Sequence, residues 1–292
     1  MTVELLSHQN DMAGRFRNYR LPNGVEIAHF SKADTDLVYH EIFVEDVYRQ
    51  HGVTIGSGDV IVDVGANVGL FALFVSQICD QATVVSCEPV PAIFRVLMEN
   101  AARHSQIDLR LVNAGLSRAP GTVEFSYYPR LSCASTMYPD DSPEERERST
   151  EYVLQQFKEL PSKPLKAAIG LMPRPARHAL ARLVRRHYTR RRKVLCRLTT
   201  LSDLIVEQRL ERVDMLKLDA ERSELDVLSG IRDEHWPLIR QAVVEAHDPP
   251  ASAALERVLS SRGLQVTVEQ NPHFPHIAML YATRKPDESR AG

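Results

Sequence analysis

The stretch GDVIVDVGANVGLFALFVSQI, at residues 58–78, decides the fold class. Within it, Val60–Val64 is a short run rich in β-branched residues, which predicts a strand. A turn that contains glycine follows, and the apolar pattern of a helix begins near Leu70. The stretch therefore predicts a strand, a tight loop and a helix, in that order.

The same alternation of strand and helix continues along the chain. Short connections between alternating strands and helices predict a parallel sheet covered by helices. The last two predicted strands are joined by the short segment NPHFP, which favours an antiparallel hairpin at the sheet edge. The expected fold is therefore α/β, with a mostly parallel seven-stranded sheet, an antiparallel last strand and helices on both faces. The further strands are predicted at residues 82–89, 109–116, 214–220, 240–248, 264–270 and 276–284, and the further helices at 92–104, 221–231 and 254–263.

Two features lie outside this alternation. Asn23-Gly24 in RNYRLPNGVEIAHF predicts an opening β-hairpin. Residues 132–193 interrupt the sheet elements with acidic, helical and basic pieces, and a connection of this length is most often a lid. We therefore expect a single domain over residues 1–292, with an N-terminal hairpin and helix cap at 1–55, a lid-like insertion at 132–193 and a flexible tail at 284–292.

The composition excludes several classes of protein. A chain of 292 residues with 43% hydrophobic and 25% charged residues is globular rather than disordered or fibrous. The N-terminus lacks the features of a signal peptide, and no stretch approaches the roughly 18 apolar residues of a membrane span. The four cysteines form no C-x-x-C pair, which favours neither a zinc site nor a disulfide framework. We therefore expect a soluble, cytoplasmic protein without a membrane partner.

A glycine-rich turn follows the first strand of the sheet. It reads DVGANVG from Asp63 to Gly69, and Glu88 lies at the end of the second strand. In an open parallel sheet, ligands bind beyond the carboxyl ends of the strands, where an acidic residue holds the ribose hydroxyls. The pattern therefore predicts a nucleoside cofactor, and an ordinary strand-to-helix turn is the alternative.

Charge distinguishes between the candidate cofactors. A dinucleotide places its pyrophosphate at the start of the first helix, where the carboxylate of Asp63 would repel it. S-adenosylmethionine has no phosphate, and its cationic sulfonium and ammonium groups tolerate a nearby acid. Its own carboxylate can bind the free N–H groups at the helix start. The turn thus favours S-adenosylmethionine over a nicotinamide cofactor.

Several blocks of the sequence resemble, in the same order, the blocks of the FkbM-type methyltransferases. The resemblance extends from about Leu21 to Tyr281 and leaves out much of the insertion. It implies a class I, Rossmann-like methyltransferase that uses S-adenosylmethionine, and many members of this family O-methylate hydroxyls of secondary metabolites and sugars. The blocks are LPNGVEI, YHEIFVEDVY, GDVIVDVGANVGLFAL, CEPVPAIF, VNAGLS, ASTM, LTTLSDLI and VDMLKLDAERSELDVLSGI.

The resemblance also implies roles for individual residues. The turn would line the methionine end of the cofactor, Glu88 would hold the ribose diol, and the segment after the third strand would flank the adenine. The family commonly has Asp-x-Glu-Gly after the fourth strand, whereas this chain has Asp219-Ala220-Glu221-Arg222, which puts the local backbone shape in question. The cofactor residues predicted in this way are Asp63, Gly65, Ala66, Asn67, Gly69, Glu88, Pro89, Asn113, Ala114, Gly115 and Asp219.

The predicted catalytic residues are His247, Asp219, Glu221 and Glu245, at the ends of the fourth and fifth parallel strands. His247 is the natural general base because the unperturbed pKa of histidine is about 6.5, although a structural histidine is an equally good interpretation. Asp219 and Glu221 can act as the base, orient the acceptor, or bind Mg²⁺ together with Glu245. Pairing with nearby basic residues explains the carboxylates as well, and no metal ion is predicted. Glu224 is expected to be a helix-surface or capping acid.

Two short segments outside the sheet are also expected near the site. The block around Tyr39, Glu41 and Phe43 is expected to fold over the cofactor, with core packing an equally good interpretation of Phe43. Residues 135–137, just inside the insertion, are expected to border the acceptor pocket.

The net charge of −2 hides a strongly basic segment. Nine arginines and one lysine lie between Pro173 and Arg197, while the rest of the chain carries 26 basic and 38 acidic residues, a net −12. This segment predicts a solvated face, a surface for an acidic partner such as a carrier protein or an anionic acceptor, or a nucleic-acid patch. Tyr188 is the only aromatic residue of the segment. Binding of single-stranded RNA is therefore disfavoured, because bases stack on aromatic side chains.

These observations lead to one expected function and two alternatives. We expect O-methylation of a small-molecule hydroxyl, on a secondary metabolite that is free or bound to a carrier protein. The first alternative is methylation of RNA or of a nitrogen acceptor. The second is a non-catalytic or NAD-binding Rossmann protein.

Overall fold

The described chain forms twelve strands, seven of which build the central sheet. The computed structural model describes residues 16–104, 106–158, 160, 162–272 and 276–284. Within this part of the chain the strands are β1 (Arg17–Arg20), β2 (Glu26–His29), β3 (Val60–Val64), β4 (Thr83–Cys87), β5 (Asp108–Val112), β6 (Gly115–Leu116), β7 (Gly121–Tyr127), β8 (Arg192–Thr199), β9 (Met215–Leu218), β10 (Gln241–Ala246), β11 (Gln265–Gln270) and β12 (Ala278–Thr283).

Helices connect these strands. A π-helix at His40–Val44 directly follows the first α-helix. The α-helices are α1 (Lys32–Tyr39), α2 (Leu70–Ile78), α3 (Pro91–His104), α4 (Pro143–Gln156), α5 (Lys163–Leu171), α6 (Arg174–Tyr188), α7 (Leu201–Glu207), α8 (Glu224–Ser229) and α9 (Pro249–Ser261).

The central sheet has the strand order β11-β12-β10-β9-β3-β4-β5. Strand β3 pairs in parallel with β4 and β9, and the parallel pairing continues to β5 on one side and to β10 on the other. Strand β12 is antiparallel to both of its neighbours, β10 and β11. The predicted fold class is thereby confirmed, including the antiparallel last strand.

Apolar cores cover both faces of this sheet. Val62 and Val64 pack into one core with Leu216 of β9, whereas Ile61 packs into the other with Phe71 of α2. Successive side chains of a strand point to opposite faces, so one short apolar run contributes to both cores. Burial on both faces is the reason that β3 reads as a nearly continuous apolar stretch.

A second, three-stranded sheet was not predicted from the sequence. Its order is β6-β8-β7, with β6 parallel and β7 antiparallel to β8. The segment at residues 109–116, which was read as one strand, is divided between β5 of the central sheet and β6 of the small sheet. Strand β8 begins at Arg192, inside the basic segment, where the density of charge conceals the alternation of buried and exposed positions.

Three helices, α4, α5 and α6, lie between β7 and β8. The start of α4 follows from the local sequence Ser142-Pro143, because the Ser142 hydroxyl accepts a hydrogen bond from the Glu145 N–H and proline suits the first helical turn. Helix α4 packs against α6. These three helices occupy the segment that the sequence predicts to be a lid.

The N-terminal hairpin forms as predicted, since β1 and β2 pair antiparallel around Asn23-Gly24. At the other end, Arg284 donates hydrogen bonds to the carbonyl oxygens of Trp236, Ile239 and Arg262, so this residue belongs to the folded domain and not to a tail. Three parts of the earlier predictions lie outside the described residues: 1–15 of the N-terminal cap, 273–275 of the last hairpin connection, and 285–292 of the tail.

Candidate active site

The glycine-rich turn after β3 adopts the backbone conformations that its residue types suggest. Gly65, Asn67 and Gly69 have φ values of 79°, 48° and 92°. A Cβ atom on Gly65 would lie 1.8 Å from the carbonyl oxygen of Asp219, at the end of β9. Glycine is therefore required there by both its left-handed backbone and the close approach of a neighbouring strand end.

Glu88 follows β4 and faces the same turn. Its carboxylate accepts hydrogen bonds from the N–H groups of Asn67, at 3.1 Å, and Val90, at 2.8 Å. Burial raises the pKa of Glu88 to about 7, although these two N–H groups lower it. The side-chain amide of Asn113 donates to the carbonyl oxygens of Glu88 and Pro89, and so holds the loop that carries the carboxylate.

A cavity of about 340 Å³ opens at the carboxyl ends of the parallel strands. It brings together ten predicted site residues: Gly65, Ala66, Asn67, Glu88, Pro89, Gly115, Asp219, Glu221, Glu245 and His247. Four other predicted residues do not line it: Asp63, Gly69, Asn113 and Ala114. Two of these four contact lining residues, since Asp63 pairs with Lys217 and Asn113 bonds the loop at Glu88 and Pro89.

Asp63 has a different environment from the one expected. Its side chain is fully buried, and its Oδ1 lies 3.0 Å from Nζ of Lys217, which is itself buried. Burial lowers the pKa of Lys217, but the charges of Asp63 and Asp219 outweigh this effect and raise it. The charge of the Asp63 carboxylate is therefore compensated by Lys217. The repulsion between Asp63 and the pyrophosphate of a dinucleotide, which was expected from the sequence, is correspondingly weakened.

Three carboxyl groups, those of Glu41, Glu221 and Glu245, face the cavity from different elements. Burial, followed by the charge of Glu245, raises the pKa of Glu41 to about 8. Burial, followed by the charge of Asp219, raises the pKa of Glu245 to about 7, and burial raises the pKa of Glu221 well above its usual value. Glu41 and Glu245 can therefore exchange protons with the cavity near neutral pH.

Glu41 reaches the cavity from the π-helix His40–Val44. Single π-helical turns inside helices are frequent at functional sites. In contrast, Phe43 of the same block stacks on Tyr39 and contacts Phe74 edge-on, with ring centroids 4.6 and 5.3 Å away. The block thus contributes one acid to the site, while Phe43 belongs to the core.

His247 lies among these acids and is nearly buried. Its Nε2 is 3.4 Å from Oε1 of Glu224, and its Nδ1 is 4.0 Å from Oε1 of Glu245. Burial lowers the pKa of His247, but the charges of Glu221 and Glu224 raise it well above its usual value. The neighbouring acids therefore favour the protonated form of the imidazole.

Of the two expectations for Glu224, a helix-surface or a capping acid, the surface position is wrong. Only 2% of its surface is exposed, and its Oε1 accepts hydrogen bonds from the N–H groups of Ala220, at 3.0 Å, and Arg222, at 3.1 Å. It therefore fixes the loop after β9 and supplies a negative charge to His247.

The carboxylates do not form a metal centre. No group of three or more His, Cys, Asp or Glu side chains in the described part of the chain could hold a metal ion. The alternative in which Asp219, Glu221 and Glu245 bind Mg²⁺ therefore finds no support in the geometry.

Some lining residues were missed by sequence reasoning. Glu145 and Tyr152 reach the cavity from α4, and Asn271 and His276 reach it from the connection between β11 and β12. No local pattern marks these residues, because they approach the site only through the packing of distant segments. The basic residues 173–197 do not line the cavity.

Comparison with known proteins decides the family. The sequence model described as the methyltransferase FkbM domain matches residues 63–280, which is more than half of the chain. The chain belongs to the FkbM methyltransferase family. It is accordingly an S-adenosylmethionine-dependent methyltransferase.

Two curated relatives and one solved structure are among the proteins to which the chain is similar. The chain is 32% identical over 256 residues to the 31-O-demethyl-FK506 methyltransferase FkbM of Streptomyces tacrolimicus, covering 87% of this chain and 91% of that protein. It is 34% identical over 259 residues to the AMB antimetabolite synthetase AmbE of Pseudomonas aeruginosa, covering 86% of this chain but 12% of that protein. Fibrillarin of Aeropyrum pernix, solved with natively bound S-adenosyl-L-methionine, is 15% identical over 92% of this chain and 82% of its own, and its TM-score of 0.39 carries no argument about the site.

Within the described residues, none of the helices has both the length and the apolar character needed to cross a membrane.

Arg222 occupies the position at which the family commonly has glycine. Its φ is 77°, and that of the preceding Glu221 is 49°. Two consecutive non-glycine residues therefore have a left-handed backbone conformation. The Arg222 guanidinium lies 3.1 Å from Oδ2 of Asp140 and 3.6 Å from Oε2 of Glu145. Arg222 therefore fastens the start of α4 to the loop after β9.

Replacing Arg222 with glycine is expected to loosen α4 without unfolding the protein. The substitution relieves the strain of the left-handed backbone but removes two partly exposed ion pairs. These two effects on the free energy of unfolding nearly cancel, to within about 1 kcal/mol. Backbone amides of α4 should exchange with deuterium faster, whereas those of β3 and β9 should not change. Arg222→Lys, which keeps the charge, is the control. Unchanged exchange in α4 of the glycine variant would show that Arg222 does not hold this helix.

The affinity for S-adenosylhomocysteine is expected to fall as the pH drops below about 7. If Glu88 holds the ribose diol, as the resemblance implies, its ionised form accepts the hydrogen bonds of the ribose hydroxyls, and the affinity reaches its maximum above the pKa of Glu88 in the free protein. Below that pKa the affinity should decrease by about ten-fold per pH unit. Calorimetric titrations at pH 8, 7 and 6 measure this dependence, and Glu88→Gln should remove it. An equal dependence in both proteins would assign the titration to another group.

Proposed function

We propose that this protein transfers the methyl group of S-adenosylmethionine to a hydroxyl oxygen of a small secondary metabolite. The observation that carries the proposal is the placement of Glu245, an acid with a pKa near 7, in the same cavity as the predicted cofactor turn. A base whose pKa lies near the working pH is the group that deprotonation of a hydroxyl requires. The name of the 32% identical relative, a 31-O-demethyl-FK506 methyltransferase, supports an oxygen acceptor.

The residues around the cavity fit S-adenosylmethionine. Glu88 presents a buried carboxylate suited to a ribose diol. Asp219 keeps 28% of its side chain exposed, and the nearest cation, Nζ of Lys217, is 3.9 Å away. Because Lys217 is closer to Asp63, at 3.0 Å, Asp219 shares this cation and its partly exposed carboxylate can still attract the positive charges of the cofactor. When bound, S-adenosylmethionine supplies a methyl group that the acceptor oxygen takes while the carbon–sulfur bond breaks.

In this proposal the proton of the acceptor hydroxyl passes to a carboxylate of Glu245. His247, whose protonated form the neighbouring acids favour, then stabilises the ionised acids beside it and does not serve as the base that the sequence suggested. Asp219 contributes to cofactor binding, and Glu221 orients the acceptor by accepting a hydrogen bond. Most of the rate enhancement comes from holding the two reactants in line.

The test is methyl transfer from S-adenosylmethionine with a radioactive methyl group to a panel of hydroxylated and amine-bearing metabolites, with total RNA as a further acceptor. We expect label on hydroxyl oxygens, as methyl ethers identified by mass spectrometry. Glu245→Gln should abolish the transfer while S-adenosylhomocysteine still binds, and Glu245→Asp should retain part of it. Label confined to nitrogen or to RNA would refute the proposal.

A further inference from the structure

The basic segment at residues 173–197 carries positive charge that the protein itself balances only in part. The segment contains no acidic residue. Arg191 pairs with Asp141, and Lys193 pairs with Glu124. No carboxylate of the described residues lies within ion-pair distance of three exposed arginines of α6, namely Arg174, Arg182 and Arg186.

Arg185 shows that the charge is also uncompensated on the inner side of α6. Its Nε is buried and has no hydrogen-bond partner among the described residues. Burial, followed by the charges of Arg146 and Arg186, lowers the pKa of the Arg185 guanidinium, and the charge of Glu147 raises it. The repulsion between these arginines is a cost that the carboxylates of a bound partner would relieve.

Exposed leucines accompany this charge. Among the described residues, the three most exposed large apolar side chains lie in or beside the basic segment. They are Leu171, Leu183 and Leu195, which are 87%, 65% and 66% exposed. A helix face or strand that is merely solvated needs no such leucines, so the combination of leucine and uncompensated arginine points to a contact surface.

The outer face of α6 combines both components. Residues three or four positions apart share one face of a helix. Five residues at this spacing are all exposed, and together they define the α6 face: Pro175, Ala179, Arg182, Leu183 and Arg186. Strand β8 repeats the pattern, because exposed Leu195 lies between exposed Lys193 and Arg197 on one side of the strand.

A lipid surface fits the α6 face poorly. A helix that lies in a membrane interface buries a continuous apolar face there. The apolar side of α6 is already covered, since Ala181 is fully buried and α6 packs against α4. Only single apolar side chains among basic ones remain outside.

Single-stranded nucleic acid also fits poorly. Tyr188, the only aromatic residue of the segment, is not fully exposed, so bases find no stacking platform. An acidic protein satisfies both components of the face. Guanidinium groups bind carboxylates through two parallel hydrogen bonds, and arginine is enriched over lysine at protein interfaces, as it is in this segment, with nine arginines and one lysine.

We propose that the α6 face is a docking surface for an acidic protein whose contact face combines carboxylates with apolar side chains. Helix α6 packs against α4, and α4 supplies Glu145 and Tyr152 to the cavity. A protein docked on α6 therefore lies on the outer side of a helix that walls the candidate active site. The inference goes beyond the proposed function and does not depend on it.

The test uses a fluorescein-labelled helical peptide that presents glutamate and leucine on one face, with binding measured by fluorescence anisotropy at about 0.15 M salt. We expect saturable binding to the unchanged protein. Arg186→Glu should reduce the affinity by about ten-fold or more, because it replaces an attraction with a repulsion. Arg257→Glu, the matched control at an exposed position of α9, should stay within about two-fold.

A second pair of variants tests the apolar component. Leu183→Ser should reduce the affinity for the peptide by about five-fold. Val206→Ser, at an apolar position of α7 that is 59% exposed, should leave it unchanged. All four substitutions lie at exposed positions, and circular dichroism checks that the variants fold.

Three results would overturn the inference. The first is the absence of peptide binding to the unchanged protein. The second is an equal loss of affinity in each variant and its control. The third is tighter binding of single-stranded RNA, or of vesicles of phosphatidylglycerol and phosphatidylcholine, that both Arg186→Glu and Leu183→Ser weaken, because the surface would then belong to a nucleic acid or to a membrane.

Discussion

Replacing Lys217 with methionine is expected to lower the free energy of unfolding by about 3–5 kcal/mol. Lys217 and Asp63 form an ion pair in the centre of the sheet, where both side chains are buried. Removal of the cation leaves the Asp63 carboxylate without a counterion in a medium of low polarity, with only the Ser86 hydroxyl donating to it at 3.4 Å, and an unpaired buried charge is costly. Urea unfolding followed by circular dichroism at pH 7 measures the loss.

Two further variants identify the cause. The double variant Asp63→Asn, Lys217→Met should recover most of the lost stability, because it leaves no charge unpaired. Lys32→Met, which removes the exposed pair between Lys32 and Asp36, should cost less than about 1 kcal/mol. If Lys217→Met unfolds at the same urea concentration as the unchanged protein, the buried pair does not stabilise the fold.

Replacing Glu88 with alanine is expected to reduce the affinity for S-adenosylhomocysteine by about 100-fold or more. A hydrogen bond to a charged group contributes about 1.5–3 kcal/mol, and a ribose diol offers two donors to one carboxylate. The same change also frees the N–H groups of Asn67 and Val90, which shape the turn. Isothermal titration calorimetry measures the affinity.

The controls for this prediction separate binding from folding. Glu88→Gln keeps an acceptor for the turn but lacks the charge, and it should bind with intermediate affinity. Glu99→Ala removes an exposed glutamate of α3 and should bind like the unchanged protein. Undiminished affinity in Glu88→Ala would exclude this residue from the cofactor site.

The central sheet could be predicted because its strands are short, apolar and separated by recognisable helices. The turn at Gly65 and Asn67 could also be predicted, since few residue types accept its backbone conformation. The small sheet was missed because β7 and β8 pair across the whole helical insertion, and a long-range pairing leaves little trace in the local sequence.

The charge state of the site was the least predictable property. Asp63 and Lys217 lie opposite each other in the register of β3 and β9, although 153 residues separate them in the chain. His247 has a raised pKa because Glu221 and Glu224 surround it, and Glu224 was expected at the surface. Electrostatics of this kind depends on which strand ends meet, and motif spacing does not specify it.

Calorimetric titration with S-adenosylhomocysteine, in buffer containing EDTA, directly tests whether the cavity is a cofactor site, with NAD as the comparison ligand. We expect saturable binding at one site, with an affinity in the micromolar range, and no binding of NAD. Binding of NAD without binding of S-adenosylhomocysteine would contradict this expectation.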